Sequence, residues 1–124
     1  MPWSVNTLAQ VAGIAALADA EYRQQSLELI KNERHYLSLE LTTVPSLRVF
    51  PSAANFMLLE LPATWRAQQL QGELLSQRLL LRDCGNFVGL SHRFVRVAVR
   101  SRGENERLVR LFKDILTGAS HGAA

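Results

Sequence analysis

The hydrophobic residues follow a helical period near both ends of the chain. Apolar side chains recur three and four positions apart over residues 7–19, which predicts a short alanine-rich helix, and again from 21 to about 41, which predicts a longer one. On the longer helix we expect four charged residues to be mostly solvated: Arg23, Glu33, Arg34 and Glu40. Ser101 and Glu104 have the S-x-x-E spacing of a capping box, which predicts the start of a last helix.

Between these helices the apolar residues occur in short runs that are typical of strands. Strands are predicted at residues 47–52, 55–61, 79–82 and 94–99. Thr64 is the predicted N-cap of a helix that runs through Arg78, between the second and third strands. The order ααββαββα predicts an α+β fold, in which helices cover a small mixed or antiparallel sheet of three to four strands.

Composition indicates one globular domain. Of the 124 residues, 48% are apolar and 20% are charged, which fits a domain over residues 1–118 followed by a frayed tail over 119–124. No apolar run approaches the ~20 residues that span a bilayer, and the first residues lack a signal-peptide pattern, so we expect a cytoplasmic protein without a membrane partner. The net charge of +3 is too mild and too mixed to indicate nucleic-acid binding.

The basic residues are almost all arginines, and five of them lie between Arg82 and Asn105. In the strand predicted at residues 94–99, the valines share one face, while Arg96 and the following Arg100 share the other. An unpaired buried guanidinium costs several kcal/mol, so this second face must open onto solvent, a partner or an anionic ligand. At roughly 3.3 Å per residue, Arg96 and Arg100 lie about 13 Å apart and cannot hold one small anion together.

Three other interpretations are open at this point. In the first, the three arginines are surface residues paired with acids: Arg82, Arg96 and Arg100. In the second, the single cysteine, Cys84, is a nucleophile with His92 as its base, although no third orienting residue is evident. In the third, a metal is bound by Cys84 and the three histidines, which are His35, His92 and His121. These four residues do not have the sequence spacing of metal ligands.

Three segments carry a resemblance to a known family. In this order and spacing, "PWSVNTLAQVAGIAAL", "VFPSAANFMLLEL" and "LLLRDCGNFVGLSHRFVRVAVRSRGENERL" resemble the C-terminal portion of fold-type I pyridoxal-phosphate enzymes of the class I/II aminotransferase superfamily. The likeness is greatest to the threonine-phosphate decarboxylases of cobalamin biosynthesis, and the histidinol-phosphate aminotransferases are near cousins. It covers Pro2 to about Leu116 and implies the small domain of such an enzyme.

The resemblance implies roles for the arginines. Arg96 matches the strand arginine that binds an anionic group of the substrate, commonly the α-carboxylate, and Arg82 matches a second substrate-binding arginine that would face a phosphate; the two assignments can be exchanged. Arg100, Asn6 and Asn55 are weaker candidates. The implied reaction is the decarboxylation of L-threonine O-3-phosphate to (R)-1-aminopropan-2-ol O-phosphate. Arg100 favours the decarboxylases, because the aminotransferases usually have a small residue after the segment equivalent to "RVAV".

The chain departs from the family pattern in one respect. Pyridoxal 5'-phosphate is held through a lysine in complete enzymes, but Lys31 and Lys113 lie on predicted helix surfaces, so we expect no covalently bound cofactor and no activity from this chain alone. The expected partners are a phosphorylated amino-acid substrate and a missing large domain or homodimer partner. Without the missing part, the first helices of this chain should expose apolar surface. The alternatives are a histidinol-phosphate aminotransferase-like domain and a non-catalytic binding module.

Overall fold

A computed structural model describes residues 5–118 of the chain. It contains eight elements in the predicted order, with these bounds: α1 Thr7–Ala18, α2 Ala20–Thr42, β1 Arg48–Val49, β2 Phe56–Glu60, α3 Ala67–Ser76, β3 Arg82–Asp83, β4 Phe94–Ala98 and α4 Arg102–Leu116. The α+β prediction is therefore confirmed. The tail predicted at residues 119–124 lies outside the described residues.

The four strands form one sheet in the order β1-β2-β4-β3, and every neighbouring pair is antiparallel. The sheet is thus antiparallel, which is one of the two arrangements predicted. β4 lies between β2 and β3, and its residue Arg96 is opposite Leu58 on one side and Arg82 on the other. This register determines which side chains share the exposed face.

The core lies between one face of the sheet and three of the helices. Met57 and Leu59 of β2 and Val95 and Val97 of β4 are buried, as strand alternation predicts for the valine face. Helices α2, α3 and α4 supply the opposing buried side chains, which are Leu37, Leu41, Ala67, Leu70, Leu74, Leu108, Val109, Phe112 and Ile115. None of the described helices combines the length and apolarity needed to cross a bilayer.

Helix α1 contributes nothing to this core. Asn6 caps it by accepting a hydrogen bond from the Ala9 amide to Oδ1 at 2.8 Å, but none of its residues is buried. Leu8, Ile14 and Leu17 are 81%, 71% and 80% exposed. The expected exposure of apolar helix surface is confirmed.

Helix α3 begins later than the Thr64 N-cap predicts. Residues 62–65 form a turn in which the Trp65 amide donates to the Pro62 carbonyl, and the N-cap is Arg66, whose amide donates to the Gln69 side chain at 3.0 Å. The helix ends at Ser76, and the chain leaves it through two hydrogen bonds, from the Arg78 amide to the Leu75 carbonyl and from the Leu79 amide to the Leu74 carbonyl. These two bonds define a Schellman motif.

The prediction that Glu33 is mostly solvated is wrong. Helical spacing places Glu33 between Ile30 and Leu37 on the core-facing side of α2, where it is buried. Its carboxylate accepts hydrogen bonds from Arg102 Nε at 3.0 Å and from Asn105 Nδ2 at 2.9 Å, so α2 is joined to α4. The hydrogen bond from the Arg102 side chain is the main cause of a lowered Glu33 pKa, and it outweighs the opposing effect of burial.

We predict that Glu33→Ala destabilises the domain by about 2 kcal/mol, because Asn105 would lose an acceptor in a buried position. A lowered pKa in the folded state means that the carboxylate stabilises the fold at pH values above its ordinary pKa of 4.5 and loses this effect as the pH falls through the lowered value. Urea unfolding of the wild type should therefore show an acid-induced loss of stability that is smaller in Glu33→Ala. Glu28→Ala, at an exposed position of α2, is the matched control. Equal stability of the two variants at neutral pH would contradict the role given to Glu33.

Candidate anion-binding site

Arg82 and Arg96 are direct partners across the β3–β4 pair. Side chains opposite each other in antiparallel strands have Cβ atoms about 4.5–5.5 Å apart, and like charges in such positions destabilise a sheet. Arg96 is half-buried, and Arg82 is exposed. Within the described residues, neither guanidinium has a carboxylate within ion-pair distance. The sheet therefore places two cationic residues opposite each other, and neither has an acidic partner among the described residues.

Aromatic rings lie under both guanidinium groups. The Arg96 Cζ atom is 4.6 Å from the centroid of the Phe56 ring, and the Arg82 Cζ atom is 5.8 Å from that of Phe87. Arg82 Nη2 also donates to Asn86 Oδ1 at 3.4 Å. Contacts of this kind orient a guanidinium without neutralising it, so both groups retain their capacity to bind an anion.

The two arginines line an open cleft of about 360 Å³. Its other lining residues include Asn55, Phe56 and Ala98. The Asn55 carbonyl accepts from the Val99 amide at 2.8 Å, which holds this residue beside the end of β4. A cleft of this volume lies within the range of small-molecule sites.

Acidic residues on the same sheet face are engaged elsewhere. Glu60, at the far end of β2, pairs with Arg48 and Arg93, whereas the β2 residue opposite Arg96 is the uncharged Leu58. The interpretation of paired surface arginines therefore holds for Arg100, which pairs with Glu104. Among the described residues it does not hold for Arg82 or Arg96, which have no acidic partner.

The five candidate residues from the sequence fall into two groups. Arg82, Arg96 and Asn55 come together in the cleft, while Arg100 and Asn6 lie outside it. Arg100 Nη2 pairs with Glu104 Oε1 at 2.9 Å, and hydrogen bonds from Ser101 and Arg100 lower the pKa of Glu104 to about 2. Asn6 has the helix-capping role described above. The functional assignment of all five residues stays a prediction.

Two aromatic residues that contact the arginines were not predicted from the sequence: Phe56, which lines the cleft, and Phe87, which does not. Strand alternation on β2 puts Phe56 on the face of Leu58, and the pairing of β2 with β4 puts that face beside Arg96. The alternation was visible in the sequence, but the pairing was not. Phe87 follows β3 in an irregular loop, where no periodic signal places a side chain.

Cys84 does not have the environment of a nucleophile. It is 3% exposed, its Sγ lies 3.7 Å from the Arg82 carbonyl oxygen, and burial raises the pKa of its thiol although two arginines oppose that effect. His92 is exposed and lines a different cleft with Arg66 and Asp83. Among residues 5–118, no three His, Cys, Asp or Glu side chains are placed to hold a metal ion.

We predict that Cys84 reacts slowly with Ellman's reagent in the folded chain at pH 8 and rapidly in denaturant, because only the exposed thiolate is a nucleophile. The measurement is the ratio of the two labelling rates, with free cysteine as the reference. Labelling of the folded chain at the rate of free cysteine would contradict the buried, protonated thiol.

The fold defines the class of domain. An antiparallel sheet of this order, backed by helices on one face, matches the small domain of fold-type I aminotransferases. Residues 1–113 match the profile of the family described as Aminotransferase class I and II. The chain belongs to this family.

Three relatives illustrate the similarity. The threonine-phosphate decarboxylase of Salmonella typhimurium is 42% identical over 95% of this chain and 32% of its own length. The crystal structure of the histidinol-phosphate aminotransferase from Clostridium acetobutylicum has a TM-score of 0.86 and 34% identity over 95% of this chain and 35% of that one. The L-threonine-O-3-phosphate decarboxylase from Porphyromonas gingivalis has a TM-score of 0.76 and 25% identity over 94% and 36%. The chain thus spans about a third of the length of these relatives.

Members of this family depend on pyridoxal phosphate. The residues of the arginine cleft do not fit covalent attachment of that group, because no lysine lines the cleft. Lys113 Nζ pairs with Glu40 Oε2 at 2.9 Å, and Lys31 is exposed on α2. The arginine cleft therefore lacks the amine that would form a Schiff base with the cofactor.

Proposed function

We propose that this chain is the small domain of a pyridoxal-phosphate-dependent decarboxylase that converts L-threonine O-3-phosphate to (R)-1-aminopropan-2-ol O-phosphate in cobalamin biosynthesis. Arg96 and Arg82 bind the two anionic ends of the substrate. The observation that carries the proposal is the pairing of Arg82 with Arg96 across β3 and β4, with no carboxylate within ion-pair distance of either among the described residues. The names of the Salmonella and Porphyromonas relatives support the choice of substrate.

The charge of the substrate suits the pair. A phosphorylated amino acid has a carboxylate and a phosphate that carries nearly two negative charges at neutral pH. A guanidinium binds either group through two parallel hydrogen bonds. We assign the half-buried Arg96 to the compact carboxylate and the exposed Arg82 to the bulkier, more hydrated phosphate. Either arrangement would remove the repulsion between the arginines.

Binding at both ends also positions the substrate for reaction. A ligand held by one fork can rotate about its bonds, whereas two forks restrict the orientation of the Cα–carboxylate bond. Such orientation is a large part of the rate enhancement available to an enzyme. The arginines would therefore contribute to recognition and geometry, while the remainder of the enzyme supplies the cofactor chemistry.

A second candidate is a small domain of the histidinol-phosphate aminotransferase type. It is supported by the TM-score of 0.86 and the 34% identity to the Clostridium enzyme. Its substrate also bears a phosphate, so the arginine pair alone does not separate the two activities. A third candidate, a binding module without chemistry, predicts association with a partner but no turnover.

We predict that Arg96→Gln and Arg82→Gln each weaken binding of O-phospho-L-threonine, which is the proposed substrate L-threonine O-3-phosphate, by at least fivefold. The reason is that a charge-assisted hydrogen bond contributes about 1.5–3 kcal/mol. Chemical shifts of backbone amides near the cleft measure this affinity by NMR titration. Stability should change by less than about 0.5 kcal/mol in Arg82→Gln, because the lost side chain is exposed and opposed by a like charge.

Arg110→Gln is the matched control, since it removes one exposed arginine of α4 that does not line the cleft. Unchanged affinity in both cleft variants, or equal loss in the control, would count against substrate binding by the pair.

We also predict that the chain associates with the part of the Salmonella relative that lies outside the matched region, when both are co-expressed. The complex supplied with pyridoxal phosphate and L-threonine O-3-phosphate should release aminopropanol phosphate and carbon dioxide. Keto-acid-dependent transamination of histidinol phosphate would instead favour the second candidate. A stable complex with neither activity would leave the binding module as the better interpretation.

A further inference from the structure

A second cluster of arginines lies beside the cleft. Arg78, Arg100 and Arg107 line a separate cavity of about 260 Å³ together with a single acid, Glu104. Leu80 and Ala98 line both this cavity and the Arg82–Arg96 cleft, so the two adjoin, and together they are called the groove below. Five arginines and one glutamate line this groove, which therefore carries more positive charge than the +3 of the whole chain.

Strand geometry accounts for the continuity of the groove. Arg96, Ala98 and Arg100 succeed one another on the same face of the chain, and the small Ala98 leaves the space between the two arginines open. Because Arg96 and Arg100 are too far apart to share one small anion, the groove has room for two separate anion positions, with Arg82 and Arg96 at one and the second cluster at the other.

Arg78 occupies a position where the backbone disfavours it. Its φ is +55°, and it is the first residue beyond the C-cap in the Schellman motif that ends α3. Glycine is the usual residue there, because a side chain in the left-handed conformation is strained. The side chain of Arg78 is exposed, so it does not compensate by packing in the core. Its guanidinium makes none of the ion pairs found among residues 5–118.

The rest of the cluster is only partly neutralised. Arg107 Nη2 donates to the Gln77 carbonyl, which orients the group but leaves its charge. Arg100 pairs with Glu104, which is also bound to Ser101 and whose pKa is about 2, so this one acid remains ionised at neutral pH. The cluster thus keeps a net positive charge and has free donors on Arg78.

We propose that Arg78, Arg100 and Arg107 form an outer anion site that captures a phosphomonoester dianion and passes it along the groove to Arg82 and Arg96. This inference rests on the proposed function, since it gives the same substrate a first binding position. It also accounts for an arginine at a glycine-preferring position. Two positions of like sign along one groove raise the local concentration of an anion, and the effect weakens as salt screens the charges.

The test is an NMR titration of the chain at low ionic strength and pH 7.5, followed through the Nε–Hε signals of the five groove arginines. Inorganic phosphate and O-phospho-L-threonine are the two probes. Both should shift the outer and the inner signals of the wild type. If only inorganic phosphate shifts the outer signals, the outer site is a free-phosphate site and the inference is wrong.

Two substitutions at Arg78 separate binding from stability. Arg78→Gln removes the charge and keeps the strained backbone, and Arg78→Gly removes both. Each should lower the affinity reported by Arg100 and Arg107 about two- to fivefold, the scale of one exposed ion pair. Arg78→Gly alone should raise the Tm by about 2–4 °C, because the left-handed strain is relieved. Arg78→Lys, which keeps the positive charge, should retain most of the wild-type affinity.

Arg110→Gln is the control, since it lowers the net charge equally but lies outside the groove. The inference fails if the Arg78 variants bind phosphate as the wild type does, or if Arg110→Gln matches their loss. A different result would show that the proposed function is wrong although the outer site exists. In that case the outer signals would shift and respond to Arg78→Gln, while the signals of Arg82 and Arg96 would stay unchanged on titration.

Discussion

Burial of the β4 valines determines the arrangement of the exposed sheet face. The side chains of Val95 and Val97 are 0% and 2% exposed, and the two residues pair with Leu59 and Met57 of β2. A slip of one residue would turn these valines to solvent and bring Arg96 into the core, at a cost of several kcal/mol for an unpaired charge. The same constraint fixes Arg96 opposite Arg82. The position of the two arginines in the cleft is thus a consequence of the way in which the core is filled.

The end of β4 is held by a polar connection. Asn105 donates to the Arg100 carbonyl and accepts from the Arg100 amide, and it also donates to Glu33. Glu33 is held in turn by Arg102, whose Cζ lies 3.8 Å from the centroid of the Tyr36 ring. Among the described residues, no buried side-chain nitrogen or oxygen lacks a hydrogen-bond partner, which removes the main cost of placing Glu33 inside the domain. The network joins α2, β4 and α4 where the basic groove ends.

Much of this architecture follows from sequence pattern. Periodicity was enough for the order of the elements, and the capping box at Ser101 correctly located α4 because the spacing of its two polar residues is local. Errors arose where distant contacts decide the outcome. Thr64 is a good N-cap by type, but the turn that follows Pro62 displaces the cap to Arg66. Glu33 was expected in solvent because its partners come from a helix some seventy positions away.

The candidate site shows the same division. Alternation on β4 was sufficient to set Arg96 apart from the valines. Its pairing with Arg82 required the strand order, and no local signal contains that information. The resemblance to a known family supplied both arginines by position, and the structure adds the register that makes them neighbours.

The edges of the sheet are both very short. β1 and β3 contain two residues each, and each begins with an arginine, Arg48 or Arg82. Short, charged edge strands offer few free backbone groups for another chain to extend the sheet. Self-association of the isolated domain through strand addition is therefore disfavoured. The exposed leucines and isoleucine of α1 form an apolar surface that is available for association instead.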